Sequence, residues 1–509
     1  MVTGDKLIRV SILFMLISAS LISPSCAANA ETSHPNVLFI AIDDLNDWLG
    51  CLGGHPQIKT PNMDRLAKRG VLFANAHCAA PACNPSRAAV FSGRMPYQTG
   101  VWSNSSPRLP QHQPDLVLLP TAFKKAGYVT LGTGKLLHSG GANRILFDKH
   151  FNPEQRWSPF DRERVKYTED ELPSKGTGNP RHVFHFHIPG NKPIVLPLNR
   201  MPSDRNPDRN DGESFDWGPF DVPDSAMGDA QITDWAIEHI KDGFDKPFFL
   251  GVGFYRPHIP LWVPRSYFEP YPSQHVKLPP IKDDDLDDLS EVARRWALEP
   301  ITAGSHATVV HHKQWQAAVA AYLACISFVD FHVGRLLDAL DASPYADSTS
   351  IVLWSDHGWH LGEKQHWGKW TGWERSTRVP LIIVPPGNRG AEFAKPGARC
   401  TEPVSLIDLY PTLAELCNVP APPGLDGQSL VPLLRDPAQK TARAAVTVFD
   451  PGNITLRTDR WRYIRYSNGS EELYDHQADP NEWNNLAGDP KHTALIRDFR
   501  HRTPEAAKR

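Results

Sequence analysis

An excess of charge of either sign is absent from this sequence. Its 54 lysines and arginines nearly balance its 57 aspartates and glutamates, so the formal net charge is -3 over 509 residues. Such a balance offers no basic field to nucleic acid, and we predict no nucleic-acid partner. Hydrophobic residues make up 40% of the chain and charged residues 22%, a balance typical of globular proteins. The length suffices for one large domain and a smaller one.

Cysteines are also few. The chain has seven, of which Cys26 lies near the N-terminus and Cys83 belongs to a motif described below. The other five are Cys51, Cys78, Cys325, Cys400 and Cys417. An odd number leaves at least one thiol unpaired, which excludes a disulfide scaffold. Cys400 and Cys417 are one candidate pair, although the sequence does not specify connectivity.

After the first 30 residues, the sequence has no uninterrupted apolar run of the roughly 18 residues that a membrane span needs. The N-terminus itself has the pattern of a secretory signal. Lys6 and Arg9 precede an apolar segment at 10–22, and Ala28-Asn29-Ala30 provides small residues for cleavage. We therefore predict a signal peptide at 1–30 and an exported protein that leaves the membrane after cleavage. It would be periplasmic or secreted in a bacterium, and lysosomal or secreted in a eukaryote.

Two other interpretations of the N-terminus stay open. A signal anchor would keep the apolar segment in the membrane, although Pro24 and the polar residues after it end the run. Cys26 is in addition a candidate lipid acceptor, although the preceding residues Ser23-Pro24-Ser25 fit that pattern poorly.

Four continuous apolar runs have the length of buried strands. They lie at 36–42, 127–132, 247–254 and 350–355. Continuous apolar runs are typical of strands that are covered on both faces of a parallel sheet. Helical patterns alternate with them, at 61–68, 227–240 and about 312–340. This alternation predicts an α/β fold with a large, doubly wound, mostly parallel sheet flanked by helices.

The sequence pattern changes after about residue 436. Four short segments, at 446–449, 454–457, 462–466 and 472–475, alternate between apolar and polar residues, and Asn468-Gly469 is a hairpin signal. This pattern predicts a small antiparallel sheet. The predicted domains are therefore the signal peptide at 1–30, a main domain at 31–435 and a C-terminal antiparallel-sheet subdomain at 436–509.

Ionisable residues follow each of the four predicted strands. In chain order they are Asp43 and Asp44, Lys135 and His138, His258, and Asp356 and His357. Open α/β sheets bind ligands at the carboxyl ends of their strands, so we expect these side chains to lie close together. Adjacent carboxylates repel each other unless a cation lies between them, and hard divalent ions prefer oxygen ligands. A solvated acidic turn is the alternative for the two aspartates.

One further motif lies outside the strand ends. It is Cys83-Asn84-Pro85-Ser86-Arg87, followed by a small and apolar run into Ser92-Gly93-Arg94. Taken alone, the motif is compatible with an ordinary buried thiol at a helix start and with Arg87 on the solvent face. Together with the strand-end residues, it resembles the signature of the sulfatase family. In that family, a maturation enzyme oxidises the cysteine to formylglycine, an aldehyde that hydrates to a geminal diol.

The resemblance spans about residues 35–490 and includes the late segments 404–412 and 425–430. Tyr255-Arg256-Pro257-His258-Ile259-Pro260 and the pair Asp356-His357 are most similar to iduronate 2-sulfatases and their bacterial relatives. The resemblance implies an alkaline-phosphatase-like fold and makes the main domain the catalytic one. Ser92 departs from the usual threonine. The Pro-, Asp- and Arg-rich segment 141–225 does not align with the family and is expected to form loops over the site.

The resemblance also implies the cofactors and the site residues. It implies one divalent cation, calcium first and magnesium as the alternative, with the ligands Asp43, Asp44, modified Cys83, Asp356 and His357. The implied catalytic residues are Cys83, Arg87, Lys135, His138, His258 and Lys369. The diol attacks sulfur with one hydroxyl and expels sulfate through the other.

The resemblance assigns a role to each of these groups. Arg87 and Lys135 would hold the diol and a sulfate oxygen. Lys369 would stabilise the transferring sulfate. His258 would protonate the leaving sugar oxygen, and His138 would take the proton from the second hydroxyl.

We therefore predict hydrolysis of a sulfate ester on a sulfated sugar or oligosaccharide. The formylglycine-generating maturation enzyme would be a second partner. A phosphoester or phosphonate hydrolase of the same superfamily and a non-catalytic sulfated-glycan-binding protein are the alternatives. The maturation context of Cys83 favours a sulfatase over the first alternative, because most phosphatases of the superfamily have Ser or Thr at this position. No ligand or nucleophile is missing, as it would be in a binding protein.

The first candidate substrate is a 2-O-sulfated uronic acid. Arg256 is expected to bind the planar carboxylate through two hydrogen bonds, unless it pairs with an acidic neighbour instead. Trp359 and His360 are expected to pack on the apolar face of the sugar.

Overall fold

The computed structural model describes residues 1, 34–153, 184–186, 194–201, 215–300 and 304–508. The predicted signal peptide and the lipid-acceptor candidate Cys26 therefore lie outside the described residues, apart from Met1. Most of the 141–225 segment does so too. Pro35–Arg509 forms one compact unit.

The strands are numbered in chain order. They are β1 (Asn36–Asp43), β2 (Val71–Phe73), β3 (Ala76–His77), β4 (Val129–Gly134), β5 (Lys149–Phe151), β6 (Phe184–Phe186), β7 (Ile194–Leu196), β8 (Trp217–Phe220), β9 (Phe248–Pro257), β10 (Leu261–Pro264), β11 (Thr349–Ser355), β12 (His360–Leu361), β13 (Trp367–Gly368), β14 (Arg378–Val379), β15 (Leu381–Val384), β16 (Ala398–Cys400), β17 (Val404–Ser405), β18 (Ala445–Asp450), β19 (Asn453–Arg457), β20 (Trp461–Arg465) and β21 (Glu471–Asp475).

The α-helices are numbered in the same way. They are α1 (Pro61–Ala67), α2 (Cys83–Ser92), α3 (Pro96–Thr99), α4 (Leu109–His112), α5 (Leu119–Lys125), α6 (Gly140–Leu146), α7 (Gly228–Asp242), α8 (Glu291–Leu298), α9 (His306–His311), α10 (Trp315–Asp341), α11 (Glu374–Thr377), α12 (Leu409–Leu416), α13 (Val431–Arg435) and α14 (Thr493–Arg502).

A large sheet organises the chain, and the prediction of its type is confirmed. Its strands lie in the order β16-β2-β15-β11-β1-β9-β4-β5. β15 runs antiparallel to both of its neighbours, and every other pair in this sheet is parallel. β1 lies between β11 and β9, and all eight of its residues are buried. An apolar run ending in two aspartates thus becomes a central strand with ionisable residues at its carboxyl end.

Helices cover both faces of this sheet, as a doubly wound fold requires. α7 and α10 contribute to the apolar core on one face, and α2, α5 and α12 to the core on the other. By length and composition α10 could cross a membrane. Most of the residues in its most apolar stretch are, however, buried within the fold. It is therefore a core helix, and it confirms the helix predicted at about 312–340.

The C-terminal antiparallel sheet is also confirmed. β18, β19, β20 and β21 pair consecutively, and all three pairs are antiparallel. The turn between β20 and β21 contains Gly469, whose φ of +88° lies in the left-handed region that favours glycine. Glu374 of α11 connects this sheet to the main core through ion pairs with Arg457 and Arg462.

Candidate active site

The predicted strand-end residues meet at one edge of the large sheet. β4, β9, β1 and β11 are parallel neighbours, so their carboxyl ends point the same way. Candidate residues lie at the end of each strand. Lys135 follows β4, His258 follows β9, and Asp356 and His357 follow β11, whereas Asp43 is the last residue of β1 and Asp44 follows it.

Close backbone packing holds Lys135 in place. Its N–H donates to the carbonyl of Gly253 on β9 at 2.8 Å. A Cβ at Gly253 would overlap the backbone of Lys135, and a Cβ at Gly134, whose φ is +67°, would overlap the carbonyl of Gly253. Glycine is therefore required at both positions for the backbone of Lys135 to pack this closely against β9.

α2 contributes the two motif residues Cys83 and Arg87. Cys83 is the first residue of the helix, so it lies at the positive end of the helix dipole. Arg87, one turn later, is fully buried. Its Nε donates to Asp356 Oδ2 at 2.7 Å and a terminal nitrogen donates to Asp43 Oδ1 at 3.1 Å. The alternative with Arg87 on the solvent face is therefore wrong.

The Cys83 thiol is surrounded by polar groups. Its Sγ lies 3.1 Å from Lys369 Nζ and 3.4 Å from His357 Nε2. His138 also lies close enough to Cys83 to affect its pKa. Burial alone would raise the pKa of Cys83, but the charges of Lys135, Lys369 and His357 outweigh burial and hold the pKa well below its usual value. Cys83 thus differs from a cysteine in an apolar core, whose pKa burial would raise.

The aspartates around Cys83 are fully buried. Burial would raise the pKa of Asp43, but the cations beside it, Lys135 first, hold this pKa well below its usual range. Burial dominates at Asp356 and raises its pKa to about 6, against the attraction of Arg87. Burial alone would lower the pKa of His357, but the negative charges of Asp356 and Asp44 outweigh burial and raise this pKa to about 9.

These donor atoms fit a divalent cation. Asp43, Asp44, Cys83 and His258 have ligand atoms within 4.8 Å of one another, and so have Asp43, Cys83, Asp356 and His357. Asp44 Oδ2 is buried and makes no hydrogen bond with the described residues. Three carboxylates, one of which has an oxygen without a hydrogen bond, and an imidazole are a donor set for a hard cation, and formylglycine would exchange the soft sulfur for oxygen.

A second cluster with metal-ligand spacing serves a different purpose. Glu374, His476 and Glu482 also approach within 4.8 Å. Arg462 pairs with both glutamates, and Arg457 pairs with Glu374. The positive charge between these carboxylates is therefore supplied by arginine, and the cluster is a buried ion-pair network.

His258 lies on the open side of the site. Its side chain is 18% exposed, whereas those of Lys135 and Lys369 are 6% and 5% exposed. Its Nε2 lies 3.8 Å from Asp44 Oδ2, and its Nδ1 lies 2.5 Å from the carbonyl of Ile259. Because a carbonyl only accepts, Nδ1 carries the proton in this contact and Nε2 faces the site.

The predicted sugar-packing residues are buried, so that prediction is wrong. Trp359 is 1% exposed and His360 is 0% exposed. The chain turns inward after His357 because Gly358 donates to the carbonyl of Ser376 at 2.8 Å and packs directly on the carbonyl of Arg375. Trp359 then lies beside Lys369, with 5.5 Å from Nζ to the ring centroid, and neither ring offers a face to a sugar.

Arg256 is also buried, with 1% of its surface exposed. Its Nε donates to the carbonyl of Trp262 at 2.9 Å, and a terminal nitrogen lies 3.4 Å from the carbonyl of His258. The prediction that Arg256 binds a substrate carboxylate is therefore wrong. Its guanidinium instead binds backbone carbonyls of the loop that carries His258.

Sequence reasoning missed an exposed cation beside the site. Asn84 holds the loop 102–108 against the start of α2, because its Nδ2 donates to the carbonyls of Ser103 and Ser106 at 3.0 and 3.1 Å. Arg108 ends this loop and is partly exposed. Its charge is near enough to contribute to the lowered pKa of His138, of which burial is the main cause. A lone arginine in an irregular loop gives no sequence signal, so only the fold identifies it.

Comparisons with known families, proteins and structures identify the family of this chain. The family model described as "Sulfatase" matches residues 35–419, and a second, "N-sulphoglucosamine sulphohydrolase, C-terminal", matches residues 362–509. A sulfatase of Formosa agariphila is 35% identical over 480 residues, 93% of this chain and 87% of that protein. Iduronate 2-sulfatase of Homo sapiens is 29% identical over 452 residues, 83% of this chain and 76% of that protein.

A solved structure of a 2-O GAG sulfatase shares the fold. It is 24% identical to this chain, with a TM-score of 0.65, and the match covers 92% of this chain and 91% of that one. The family match over most of the chain, together with 35% identity to a sulfatase over 93% of its length, shows that this chain belongs to the sulfatase family, whose members hydrolyse sulfate esters.

Proposed function

We propose that this chain is an exported sulfatase that removes a sulfate group from a sulfated carbohydrate, with formylglycine at position 83 and one divalent cation. The observation that carries the proposal is the surroundings of Cys83. The motif cysteine is buried among Lys369, His357 and Asp44, at the edge where the parallel strands of a sulfatase-family sheet end. A maturation enzyme that recognises the Cys83 motif would be its partner.

The cation would be held by Asp43, Asp44, Asp356, His357 and residue 83. Calcium is the first candidate, because oxygen ligands dominate the set, and magnesium is the second. When bound, it would polarise the sulfate oxygens. The three carboxylates are balanced in charge by Arg87, Lys135 and Lys369, so a divalent ion would leave the site positive, as an anionic ester requires.

The hydrated formylglycine would supply one hydroxyl for attack on sulfur and a second whose deprotonation lets sulfate leave. Arg87 fixes Asp43 and Asp356 through its ion pairs. Lys135 and Lys369 provide fixed positive charge next to residue 83 and the sulfate.

The two histidines divide the proton transfers. His258 Nε2 faces the site from the open side, which suits a donor to the leaving sugar oxygen. His138 lies close enough to residue 83 to affect its pKa, and burial lowers the pKa of His138 itself, which favours a neutral ring that accepts a proton from the second hydroxyl.

A terminal 2-O-sulfated uronic acid is the first substrate to test. The 29% identity to human iduronate 2-sulfatase supports it. Since Arg256 is buried, the carboxylate needs another cation. Arg108 is suited to this role, because its Nη1 is bonded to the carbonyls of Asn104 and Ser106 and its other nitrogens have no hydrogen-bond partner among the described residues.

A substrate panel tests the function. Protein produced with the maturation enzyme is assayed for released sulfate on 2-O-sulfated uronate disaccharides, on their carboxyl-reduced forms and on 6-O-sulfated and N-sulfated glucosamine. We expect release from the 2-O-sulfated uronate and none from Cys83→Ala, which should remain folded. Turnover of phosphonate monoesters in preference to every sulfate ester would support the alternative hydrolase instead, and glycan binding without release would support a binding protein.

A further inference from the structure

A buried carboxylate holds the end of the strand that leads to His258. Asp229 is the second residue of α7 and is 2% exposed. One of its oxygens accepts the N–H of Tyr255 at 2.8 Å, and the other accepts the N–H of Arg256 at 3.0 Å. Both oxygens of one side chain therefore bind consecutive backbone groups, two and three residues before His258.

A buried guanidinium holds the rest of this segment, which we call the His258 loop (residues 256–262). Arg256 Nε donates to the carbonyl of Trp262 at the far end of the loop, 2.9 Å away, and a terminal nitrogen lies 3.4 Å from the carbonyl of His258 itself. One side chain thus bridges both ends of a loop of seven residues. Arg256 therefore connects the two ends of the loop by hydrogen bonds in its interior, and Asp229 binds the start of the loop to α7.

The side chain of His258 is directed by the same loop. Its Nδ1 donates to the carbonyl of Ile259, which leaves Nε2 as the atom that faces Asp44. The direction of Nε2 therefore depends on backbone positions that Asp229 and Arg256 determine. A displacement of about 1 Å at a proton donor is enough to reduce a rate by about 100-fold.

We propose that Asp229 and Arg256 are positioning residues that aim His258 at the leaving-group oxygen. The inference rests on the proposed role of His258 as the proton donor. It assigns a specific effect on one step of the reaction, the departure of the sugar, to two buried residues that lie outside the candidate set of cation ligands.

Leaving-group dependence separates this role from a general contribution to the fold. A nitrophenolate departs without protonation, whereas a poorer leaving group needs the proton. A variant with a misdirected His258 should therefore lose activity on esters of weakly acidic alcohols and phenols and keep it on 4-nitrophenyl sulfate. Damage to residue 83 or to the cation site would lower the rate on both.

The experiment compares four variants of the full-length, matured enzyme on a series of aryl sulfates from 4-nitrophenyl sulfate to phenyl sulfate. The variants are Asp229→Asn, Arg256→Lys, His258→Ala and Asp330→Asn. Asp330 is the matched control, because this buried aspartate on α10 also accepts two consecutive backbone N–H groups, of Asn62 at 3.1 Å and Met63 at 2.8 Å. Single-turnover rates with excess enzyme report the chemical step directly.

For Asp229→Asn, we expect the rate on phenyl sulfate to fall about 10- to 100-fold and the rate on 4-nitrophenyl sulfate to change less than about 3-fold. His258→Ala should steepen the leaving-group dependence at least as much, and Asp330→Asn should keep the wild-type slope. If Asp229→Asn does not fold, Arg256→Lys decides, because it retains the buried charge and loses the planar fork that reaches two carbonyls.

Two outcomes would overturn the proposal, and they are distinguishable. A steep slope for His258→Ala with a wild-type slope for Asp229→Asn and Arg256→Lys would remove the positioning role and leave that of His258. A wild-type slope for His258→Ala itself would remove the proposed proton donor, and the positioning role with it.

Discussion

Replacing Arg87 by methionine removes the charge that holds two buried carboxylates together while nearly conserving the volume of the side chain. Arg87, Asp43 and Asp356 are all fully buried, and their ion pairs measure 3.1 and 2.7 Å. Arg87→Met leaves both aspartates without this partner and also removes a donor to the carbonyl of Leu136 at 3.1 Å. Because water cannot reach these groups, the loss cannot be compensated by solvation.

The magnitude follows from the burial. Removing one partner of a buried ion pair costs about 3–5 kcal/mol. A compact unit as long as Pro35–Arg509 has an unfolding entropy of about 1 kcal/mol/K, so the midpoint of thermal unfolding should fall by about 3–5 °C. The control is Arg265→Met, because the pair Arg265–Asp221 has side chains that are 56% and 68% exposed. Such a pair contributes at most about 1 kcal/mol.

The assay is urea unfolding of wild type and both variants, in a chelating buffer so that no bound cation contributes to stability. We expect the loss for Arg87→Met to exceed that for Arg265→Met by at least about 2 kcal/mol. Equal losses for the two variants would refute the reasoning, since they would mean that Asp43 and Asp356 do not depend on a fixed positive charge.

Three further predictions concern the histidines and Arg108. His138→Ala should release one equivalent of desulfated product and then stall, which quenched-flow analysis detects; steady turnover without a burst would contradict the assigned role. Arg108→Gln should raise KM for a 2-O-sulfated uronate by about 10-fold, the worth of a charged hydrogen bond, and leave KM for the carboxyl-reduced substrate unchanged; equal effects on both would contradict it. Burial, aided by Arg335, lowers the pKa of His332 from 6.5 to about 3, so the stability gained from its neutral ring is complete above pH 6.5 and is lost as the pH falls toward 3. Between pH 7 and pH 5 the wild type should therefore lose about 2 kcal/mol more than His332→Gln in urea unfolding, and equal losses would contradict this.

The central strands were predictable because their sequence signals are local. The run that becomes β1 is apolar throughout and ends at two aspartates, and the predicted strand at 350–355 becomes β11 with one added residue. The edge strands β5 and β16 and the neighbouring β2 have three residues each, too few for a sequence pattern to emerge. The antiparallel direction of β15 has no local signal either, because Leu381–Val384 is apolar whichever way it runs.

The part of the candidate site that lies at the strand ends was predictable, because the strands themselves were. Parallel strands bring their carboxyl ends together, so residues at those ends, such as Asp43 and Asp356, are found in contact with one side chain, Arg87. The orientation of residues farther along each loop depends on tertiary packing. Trp359 turns inward because Gly358 packs on α11, and Arg256 turns inward because it closes its own loop; neither event has a local sequence signal.

The mass of the peptide that contains residue 83, measured on the same preparations as the sulfatase activity, tests the central claim most directly. The chain is produced with and without the maturation enzyme, and the fraction of aldehyde in place of thiol is compared with the rate of sulfate release. We predict that activity rises in proportion to the aldehyde fraction and is absent where Cys83 remains a thiol. A fully active protein with unmodified Cys83 would contradict the account.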